Sequence, residues 1–454
     1  MRTSLTASHV FYRKYDYPLP LIVRAAGPYL FDEHGKRYLD GSGGAMVCNI
    51  GHGVGAIADA IADQARSVAY INGTAFTSPP VEALADLLTT KAPPGLDRAY
   101  FLSSGSEAVE AALKLARHYH VASGEPQRRY VIAQTPGYHG NTLLALAASA
   151  RTSYRTVFDP WLLDVLMIDA PYPYRRTLDE HAPASALEAA ILAAGPENVA
   201  AFIAEPIGGS STGASVPPPG YFAHVREICD RYGVLFVCDE VLTGAGRTGT
   251  YFAIEHFRDA AGQTVVPDIL TMGKGLNGGY APLSAFLTRE AIVERIRASG
   301  ANFMHAQTYS HHPLSAAAAL AVQRYIDENA LVERARTLGA VLGATLQRMR
   351  KTLPSDAAAI VGDIRGIGML WALEFVADRT TRAPFPRADH FAERFVETAK
   401  RLGLVLWPNT GHAGGDGDLV MIAPPFTITP AQIDELVGLL REAIIATVTG
   451  RGQA

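Results

Sequence analysis

Between residues 234 and 241 the chain reads Val-Leu-Phe-Val-Cys-Asp-Glu-Val, a short apolar run that ends in two acids and a valine. An apolar run without polar alternation is typical of a strand that is buried on both faces, as in a parallel sheet. Further runs of the same character lie at residues 99–102, 129–133, 200–204 and 269–272. Helical patterns lie between several of them. The sequence therefore predicts an α/β protein whose large domain has a mostly parallel central sheet.

The last third of the chain has a different character. Short strands of a smaller α+β unit are predicted at residues 369–375, 404–407 and 419–422. A final helix is predicted to begin after Thr429, with Pro430 at its first position and Gln432 completing a capping box. We expect this smaller domain to be built from both ends of the chain. The predicted division is residues 1–60 and 341–454 for the small domain and 61–340 for the large domain.

The composition argues against several classes of protein. The chain has 454 residues, 48% hydrophobic and 19% charged, and its net charge of −4 gives no footprint for nucleic acid or an anionic membrane. No apolar run approaches about 18 residues, so no membrane span is predicted. The cysteines Cys48, Cys229 and Cys238 lie far apart, which favours reduced thiols in a cytoplasmic protein. The N-terminus, with Arg2 and Lys14 among aromatic residues, has no apolar region typical of a signal peptide.

Ligands of open parallel sheets bind at the carboxyl ends of the strands, so the residues that follow the apolar runs are the candidate site. The first run is followed by Ser103-Ser104-Gly105-Ser106-Glu107, which opens a helix. Its hydroxyls and free backbone N–H groups make a phosphate cradle, although a plain capping box from Ser104 to Glu107 also explains it. Tyr138 follows the second run and either stacks on a flat ring or lies in an ordinary turn. Glu205 follows the third run and is either catalytic or a cap of a neighbouring element.

Of the two remaining runs, one is followed by an acid and the other by a lysine. Asp239 is carried to the sheet edge by an apolar strand, where a buried acid needs a cationic partner such as a protonated pyridine nitrogen or an arginine. Lys274 is the only one of the seven lysines that follows an apolar run within a glycine-rich loop. It is a candidate Schiff-base nucleophile, although most lysines lie on solvated surfaces. A phosphate cradle, an aromatic ring, an acid and a lysine together are the set that pyridoxal 5′-phosphate (PLP) requires.

In their order along the chain, these motifs resemble the class III (ω-) aminotransferases, PLP-dependent enzymes of fold type I. The resemblance runs from about Gly27 to Thr429. It is carried by Gly27-Pro28-Tyr29-Leu30-Phe31-Asp32, Asn49-Ile50-Gly51-His52-Gly53, Ser103-Ser104-Gly105-Ser106-Glu107-Ala108, Tyr138-His139-Gly140, Asp239-Glu240-Val241 with residues 243–249, Gly273-Lys274-Gly275-Leu276 with residues 278–283, and Gln307-Thr308-Tyr309-Ser310. It implies a homodimer with shared active sites. The implied reaction moves an amino group from an amine or ω-amino acid to a keto acid, with pyruvate expected as acceptor, in ping-pong half-reactions.

The resemblance also implies a role for each matching residue. Lys274 is expected to form the Schiff base with PLP and to move a proton, and Asp239 to keep the ring nitrogen protonated. Tyr138 and Val241 are expected to enclose the ring. Further contacts with the cofactor are expected from Ser104, Gly105, Ser106, His139, Glu205 and Thr308, the last from a neighbouring subunit. The part played by Glu205 stays open between a ring-oxygen contact and substrate binding.

Departures from the family's pattern bear on the substrate. Leu242 stands where members acting on ornithine or acetylornithine typically have Gln, which favours the amine or ω-amino acid:pyruvate group. That group usually has a mobile arginine before the C-terminal Pro-Pro, but residues 404–424 contain none, and His412 is the only candidate cation there. Arg365 is expected to be structural. We expect Met46, Tyr138 and His412 to line a roomy, hydrophobic pocket that accepts amines without a carboxylate.

Other functions fit the sequence less well. Residues 244–249 match GxGxxG, but they do not start at a strand end or open a clear helix, which argues against a dinucleotide site. Residues 209–213 match GxSxG, but a proline run follows in place of a helix. No histidine pair has metal-ligand spacing, so no metal site is expected. Same-fold alternatives are an aminomutase or an amino acid decarboxylase. A non-catalytic PLP-binding protein is disfavoured because every cofactor position is intact.

Overall fold

A computed structural model describes residues 8–13, 19–179 and 181–450. Its strands are β1 (Ile22–Ala26), β2 (Tyr29–Asp32), β3 (Arg37–Asp40), β4 (Arg98–Leu102), β5 (Tyr130–Thr135), β6 (Leu166–Asp169), β7 (Val199–Ala204), β8 (Leu235–Glu240), β9 (Ile269–Met272), β10 (Ser284–Thr288), β11 (Val361–Ile367), β12 (Leu370–Phe375), β13 (Leu404–Val405), β14 (Trp407–Ala413) and β15 (Asp416–Ile422). Arg2 and Lys14, named in the prediction about the N-terminus, lie outside the described residues.

The α-helices of the described residues alternate with these strands through most of the chain. They are α1 (Gly43–Met46), α2 (Gly55–Ser67), α3 (Pro79–Lys91), α4 (Gly105–Ala122), α5 (Leu143–Ala147), α6 (Thr152–Arg155), α7 (Ser185–Ala194), α8 (Tyr221–Tyr232), α9 (Glu290–Ala298), α10 (Pro313–Glu328), α11 (Leu331–Thr352), α12 (Ser355–Ala359), α13 (Phe391–Arg401) and α14 (Pro430–Thr449). None of these helices combines the length and apolarity needed to cross a bilayer.

The central sheet has seven strands in the order β4-β10-β9-β8-β7-β5-β6. The strands from β9 through β6 pair in parallel, whereas β10 is antiparallel to both of its neighbours. Every residue of β7, β8 and β9 is buried, as their unbroken apolar runs predict. The predicted large α/β domain with a mostly parallel sheet is confirmed.

Two further sheets make up the smaller part of the fold. In one, β1, β2 and β3 are antiparallel, and β13 joins β3 in parallel through the pair Leu404 and Leu39. This pairing brings the two ends of the chain into one sheet, so the predicted α+β unit built from both termini is confirmed. The other sheet is antiparallel, in the order β11-β12-β15-β14. The strand expected at 404–407 is divided, because β13 ends at Val405 and β14 begins at Trp407.

The last helix begins as the sequence predicts. Thr429 Oγ1 accepts a hydrogen bond from the Gln432 N–H at 3.3 Å, and Gln432 Oε1 accepts one from the Thr429 N–H at 2.9 Å. The stripe Ile433, Leu436, Leu440 and Ile444 is then fully buried. Each such side chain contributes about 1.5–3 kcal/mol on burial, which fixes α14 on the small domain.

The exact domain boundaries stay a prediction. The boundary expected between residues 340 and 341 falls inside α11, whose buried side chains Leu331, Leu342 and Leu346 belong to one apolar cluster with α14. The outermost residues of the predicted small domain, 1–7 and 451–454, lie outside the described residues. All three cysteines are free thiols.

Candidate active site

A cavity of about 360 Å³ opens where β5, β7, β8 and β9 reach their carboxyl ends. Nine of the predicted site residues line it, namely Met46, Gly105, Ser106, Tyr138, His139, Glu205, Asp239, Val241 and Lys274. The remaining lining residues are Arg13, Ala45, Gly140, Asn141, Arg151, Tyr154, Ser210, Leu242 and Trp407. Residues far apart in the sequence therefore meet at one edge of the sheet.

Asp239 is held at the floor of this cavity by three hydrogen bonds. Its Oδ2 lies 2.6 Å from His139 Nδ1, and both side chains are at most 4% exposed. Its Oδ1 accepts from Thr271 Oγ1 at 2.9 Å and from the Val241 N–H at 3.1 Å. Burial alone lowers the pKa of His139, but the hydrogen bond and charge of Asp239 outweigh it, and the pKa is raised. The protein partner of this acid is thus a histidine, not the arginine considered from sequence.

Lys274 follows β9 and starts a single 3₁₀ turn, Lys274–Leu276. Its φ is 41°, a left-handed conformation that costs a residue with a side chain about 1 kcal/mol or more. Burial lowers the pKa of its amine, while the charges of Asp239 and Glu205 oppose that effect. Within the described residues the amine makes no hydrogen bond or ion pair. An amine in this state is available as a nucleophile or a base.

Gly105 and Ser106 line the cavity at the first turn of α4. Unpaired backbone N–H groups and the helix dipole favour an anion at such an end. A Cβ on Gly105 would lie 2.6 Å from Val241 Cγ1, and one on Gly273 would lie 3.1 Å from the same atom. Val241 therefore packs against the phosphate cradle and the lysine loop only because both positions are glycine.

Ser104 does not line the cavity; it caps α4. Its Oγ accepts from the Glu107 N–H at 3.4 Å, and Glu107 Oε2 accepts from the Ser104 N–H at 2.8 Å. The capping-box alternative is the one observed, and the expected contact between Ser104 and a cofactor is not seen in the cavity lining. Ser104 acts on the cradle indirectly, by fixing where the helix begins.

The upper walls of the cavity are aromatic and aliphatic. Tyr138 packs edge to face against Tyr154, with ring centroids 6.0 Å apart. Burial raises the pKa of Tyr138, so its hydroxyl stays neutral near pH 7. Met46 is 3% exposed, and Leu242 and Trp407 add further apolar surface. A flat or extended apolar group fits between such walls.

Glu205 is the second acid of the cavity. Its Oε1 accepts a hydrogen bond from the Gly209 N–H at 2.9 Å. Burial raises its pKa to about 7, because the charges of His139 and Lys274 compensate only in part. Glu205 is therefore poised between its neutral and charged forms near physiological pH.

The position of His412 differs from the prediction. His412 does not line the cavity; its Nε2 lies 3.1 Å from Glu374 Oε1 in a buried network. Glu374 also binds Arg175 and Arg365, whose Nη2 lies 2.8 Å from Glu374 Oε2. An acid that is fully buried needs several donors, and His412 is one of them. Arg365 takes part in the same network, so its expected structural place is observed.

Thr308 also lies outside the cavity of its own chain, and it is exposed to solvent. The expectation that it serves a neighbouring subunit stays a prediction.

One trio of possible metal ligands occurs among the described residues: atoms of Asp40, Cys48 and His52 lie within 4.8 Å of one another. Asp40 already accepts from the Gly44 N–H at 2.8 Å, and the expectation of no metal site also stays a prediction.

Sequence reasoning missed Arg13, Arg151 and Tyr154. Arg151 and Tyr154 lie around α6, and the Arg151 Cζ is 4.7 Å from the Tyr154 ring centroid. No strand end or motif marks these residues in the sequence. The only signal is the density of arginine and tyrosine between residues 151 and 155.

The residues present fit PLP. The glycine cradle at α4 suits a phosphate, the walls suit a flat ring, Asp239 suits a protonated ring nitrogen, and the partnerless Lys274 suits an aldehyde. The fit rests on the donor chemistry of the lining residues and on Gly105, where a Cβ would displace the ring-facing Val241.

Comparisons with known proteins agree with this geometry. The Aminotransferase class-III profile matches residues 10–444. The uncharacterized aminotransferase YodT of Bacillus subtilis is 39% identical, covering 94% of this chain and 95% of its own. The putrescine–pyruvate aminotransferase of Pseudomonas aeruginosa is 36% identical, covering 94% of this chain and 91% of its own.

Solved structures give the same result. A transaminase from the marine bacterium Virgibacillus has a TM-score of 0.88 at 33% identity, covering 95% of this chain and 94% of its own. An amine transaminase from an uncultivated Pseudomonas species, in its PLP-bound form, has a TM-score of 0.83 at 34% identity, covering 95% of each chain. Across nearly its whole length, this chain belongs to the class III aminotransferase family.

Proposed function

We propose that this chain is a PLP-dependent transaminase that moves an amino group from an amine or ω-amino acid to a keto acid, with pyruvate as acceptor. The observation that carries the proposal is a half-buried lysine without a partner, Lys274, that shares one cavity with the buried Asp239–His139 pair. We propose ping-pong order, in which the carbonyl product of the donor leaves before the keto acid binds.

PLP, when bound, supplies an aldehyde for an amine to attack and a ring that accepts the electrons of a carbanion. We propose that Gly105 and Ser106 bind its phosphate through the N-terminus of α4. Tyr138 and Val241 enclose the ring. Asp239 accepts a hydrogen bond from the protonated ring nitrogen, and His139 holds the acid in place through its own bond to Oδ2.

Lys274 is the residue that moves the proton in this proposal. Its Nζ takes a proton from the Cα atom of the bound substrate and returns one to the cofactor side. This requires a neutral amine for part of the cycle, and the lowered pKa of Lys274 supplies it. Glu205 is proposed to contact the ring oxygen or the substrate, as a group whose pKa is about 7.

The donor is proposed to be an amine that needs no carboxylate. Met46, Leu242 and Trp407 give the cavity an apolar wall that suits an alkyl chain. Among the relatives, one is a putrescine–pyruvate aminotransferase and several solved structures are ω-transaminases. We further propose a homodimer in which Thr308 of each chain serves the other chain's site.

The test is an amine and keto-acid panel with pyruvate consumption as the readout. Lys274→Ala is expected to abolish turnover, because it removes the proton-moving amine. Lys351→Ala, at an exposed lysine on α11, is the matched control and is expected to keep wild-type turnover. A strict preference for short ω-amino acids such as β-alanine would contradict the proposed donor class.

The same panel separates the alternatives. A decarboxylase would release CO₂ and an aminomutase would return an isomeric amine, whereas a transaminase releases a carbonyl product and consumes the keto acid in equal amounts. A non-catalytic PLP-binding protein would consume no pyruvate with any donor.

A further inference from the structure

Among the residues that the structure describes, Arg151 lines the cavity without an acidic ion-pair partner. It lies in the loop between α5 and α6, is half-buried, and lines the same cavity as Lys274. One of its Nη atoms donates to Asn409 Oδ1 on β14. Its Nε atom is buried and has no hydrogen-bond partner. Part of the guanidinium fork is therefore unused.

No carboxylate of residues 8–13, 19–179 or 181–450 forms an ion pair with Arg151. Burial lowers the pKa of its guanidinium, and the charge of Arg13 acts in the same direction, while Tyr154, Tyr138 and the more distant carboxylate of Glu205 oppose them only in part. By contrast, Arg226 and Arg365 each pair with a buried acid, namely Asp268 and Glu374. A cation that is partly removed from water is stabilised by an anion, and Arg151 has none in direct contact among the described residues.

We propose that Arg151 is a fixed anchor for the carboxylate of the keto-acid substrate. The inference rests on the proposed function and deepens it by assigning the acceptor class, a short α-keto monocarboxylate, to a residue of this chain. A guanidinium binds a carboxylate through two parallel N–H donors, which fixes orientation as well as position. Residues 404–424 supply no arginine for this task.

The surroundings of Arg151 explain how the same cavity also accepts an amine without a carboxylate. Its Cζ lies 4.7 Å from the ring centroid of Tyr154 and 5.8 Å from that of Tyr138. Aromatic faces attract a cation, so the guanidinium keeps favourable contacts when no anion is bound. Asn409 holds it in one place, so the anchor is fixed.

The matched control is Arg295, an exposed arginine on α9 that does not line the cavity. A solvated arginine of this kind is screened and contributes little to binding. The loss of one positive charge is thus the same in Arg295→Gln and Arg151→Gln, whereas the anchor is lost only in the second.

The experiment compares the wild-type holoenzyme with Arg151→Gln, Arg151→Lys and Arg295→Gln. Binding is measured by calorimetric titration of the pyridoxamine phosphate form, to which the keto acid binds in the proposed order, with oxamate, an unreactive isostere of pyruvate. Turnover is measured with pyruvate and with butanal, an acceptor that has no carboxylate. Cofactor affinity is measured by PLP retention on dialysis, and folding by circular dichroism.

Arg151→Gln is expected to lower kcat/KM for pyruvate about 10- to 100-fold, because two charge-assisted hydrogen bonds are lost. Oxamate affinity is expected to fall by a similar factor, with butanal turnover within about twofold of wild type. Arg151→Lys keeps the positive charge but lacks the paired N–H donors, so its kcat/KM for pyruvate is expected to lie between those of wild type and Arg151→Gln. It replaces Arg151→Gln in the comparison if that variant does not fold. Arg295→Gln is expected to match wild type.

The inference is overturned if the folded Arg151 variants bind oxamate and use pyruvate as wild type does. It is also overturned if pyruvate and butanal turnover fall equally, or if the loss is in PLP retention, because Arg151 would then serve the scaffold or the phosphate. Failure of the proposed function has a different signature. The wild type would then turn over no amine with either acceptor, while Arg151-dependent oxamate binding would still be measurable.

Discussion

At the scale of single residues, the Asp239–His139 pair is the most constrained feature of the site. Asp239→Asn keeps the shape but removes the negative charge that holds a ring-nitrogen proton. We expect kcat to fall about 100-fold or more, because a lost charge in a buried site is poorly replaced by solvent. Asp59→Asn, at an exposed acid on α2, is expected to leave kcat unchanged. Equal activity of Asp239→Asn and wild type would contradict the role of this acid.

The raised pKa of Glu205 predicts that the stability of the protein depends on pH. Its pKa is raised from 4.5 to about 7, so the folded state binds a proton more tightly than the unfolded state between these values. The stabilising contribution of its neutral form is complete below pH 4.5 and is lost as the pH rises to 7. Glu205→Gln has no carboxyl group to ionise, and its amide oxygen retains the bond from the Gly209 N–H.

Wild type loses the contribution of neutral Glu205 as the pH rises, whereas Glu205→Gln does not. We therefore expect the free energy of unfolding of the variant minus that of wild type to increase by up to about 3 kcal/mol from pH 5 to pH 8. The measurement is urea unfolding of cofactor-free protein at both pH values. Glu240 and Asp418, whose pKa values burial also raises, are present in both proteins and cancel in the difference. A difference that does not change with pH would mean that Glu205 titrates normally.

At the scale of elements, the start of α4 links helix capping to cofactor binding. Ser104→Ala removes one half of the capping box and is expected to lower the free energy of unfolding by about 1 kcal/mol. Because Gly105 and Ser106 form the first turn of this helix, we also expect weaker retention of PLP. Thr429→Ala removes the equivalent cap of α14, far from the cavity. Thr429→Ala is expected to lower the free energy of unfolding as much as Ser104→Ala does, but to leave PLP retention unchanged. If both variants lowered PLP retention equally, capping of α4 would have no specific effect on cofactor binding.

The strand β14 carries His412, whose predicted place in the substrate pocket can be tested against its observed place beside Glu374. His412→Ala leaves Glu374 with one donor fewer inside a buried network. We expect a loss of about 2 kcal/mol in free energy of unfolding, measured by urea denaturation. The KM for amine donors is expected to stay within about twofold of wild type, since the side chain does not line the cavity. A large change in KM without a loss of stability would restore the original assignment to the pocket.

Most elements of the central sheet were predictable, because a strand buried on both faces has a local signal. The runs that form β4, β5, β7, β8 and β9 are short, apolar and unbroken. Strand β6 was missed, since it has four residues of which only Ile168 is buried. Strand β10 was missed because it follows a glycine-rich loop and a proline, and its antiparallel pairing with β4 and β9 is not a local property.

At the scale of the whole molecule, the site depends on contacts that no sequence window contains. Arg151 and Asn409 are 258 positions apart. Their hydrogen bond holds Arg151 at the cavity, and no local pattern in the sequence marks such a contact. His412 was the only cation in that segment, but Glu374, on β12, holds it in a buried network. Lys274 and Asp239 were predictable because they lie at the ends of buried strands: Lys274 follows β9 after one glycine, and Asp239 is the second-last residue of β8.

The proposed dimer predicts complementation between two inactive chains. If Thr308 serves the other chain's site, a mixed dimer of Lys274→Ala and Thr308→Val chains has one site with both changes and one site with neither. We expect the co-expressed pair to retain PLP and activity at up to about half of the sites, while neither variant alone does so. Activity that equals the sum of the separate homodimers would contradict shared active sites.

The central claim is that the Lys274 amine bonds to the aldehyde carbon of PLP. Borohydride reduction makes such a bond permanent, and peptide mass spectrometry then locates it. We predict one phosphopyridoxyl group per chain, on the peptide that contains Lys274, and none in Lys274→Ala. Label on Lys36, Lys114 or another lysine, or no label on the wild-type chain after incubation with PLP, would contradict the account.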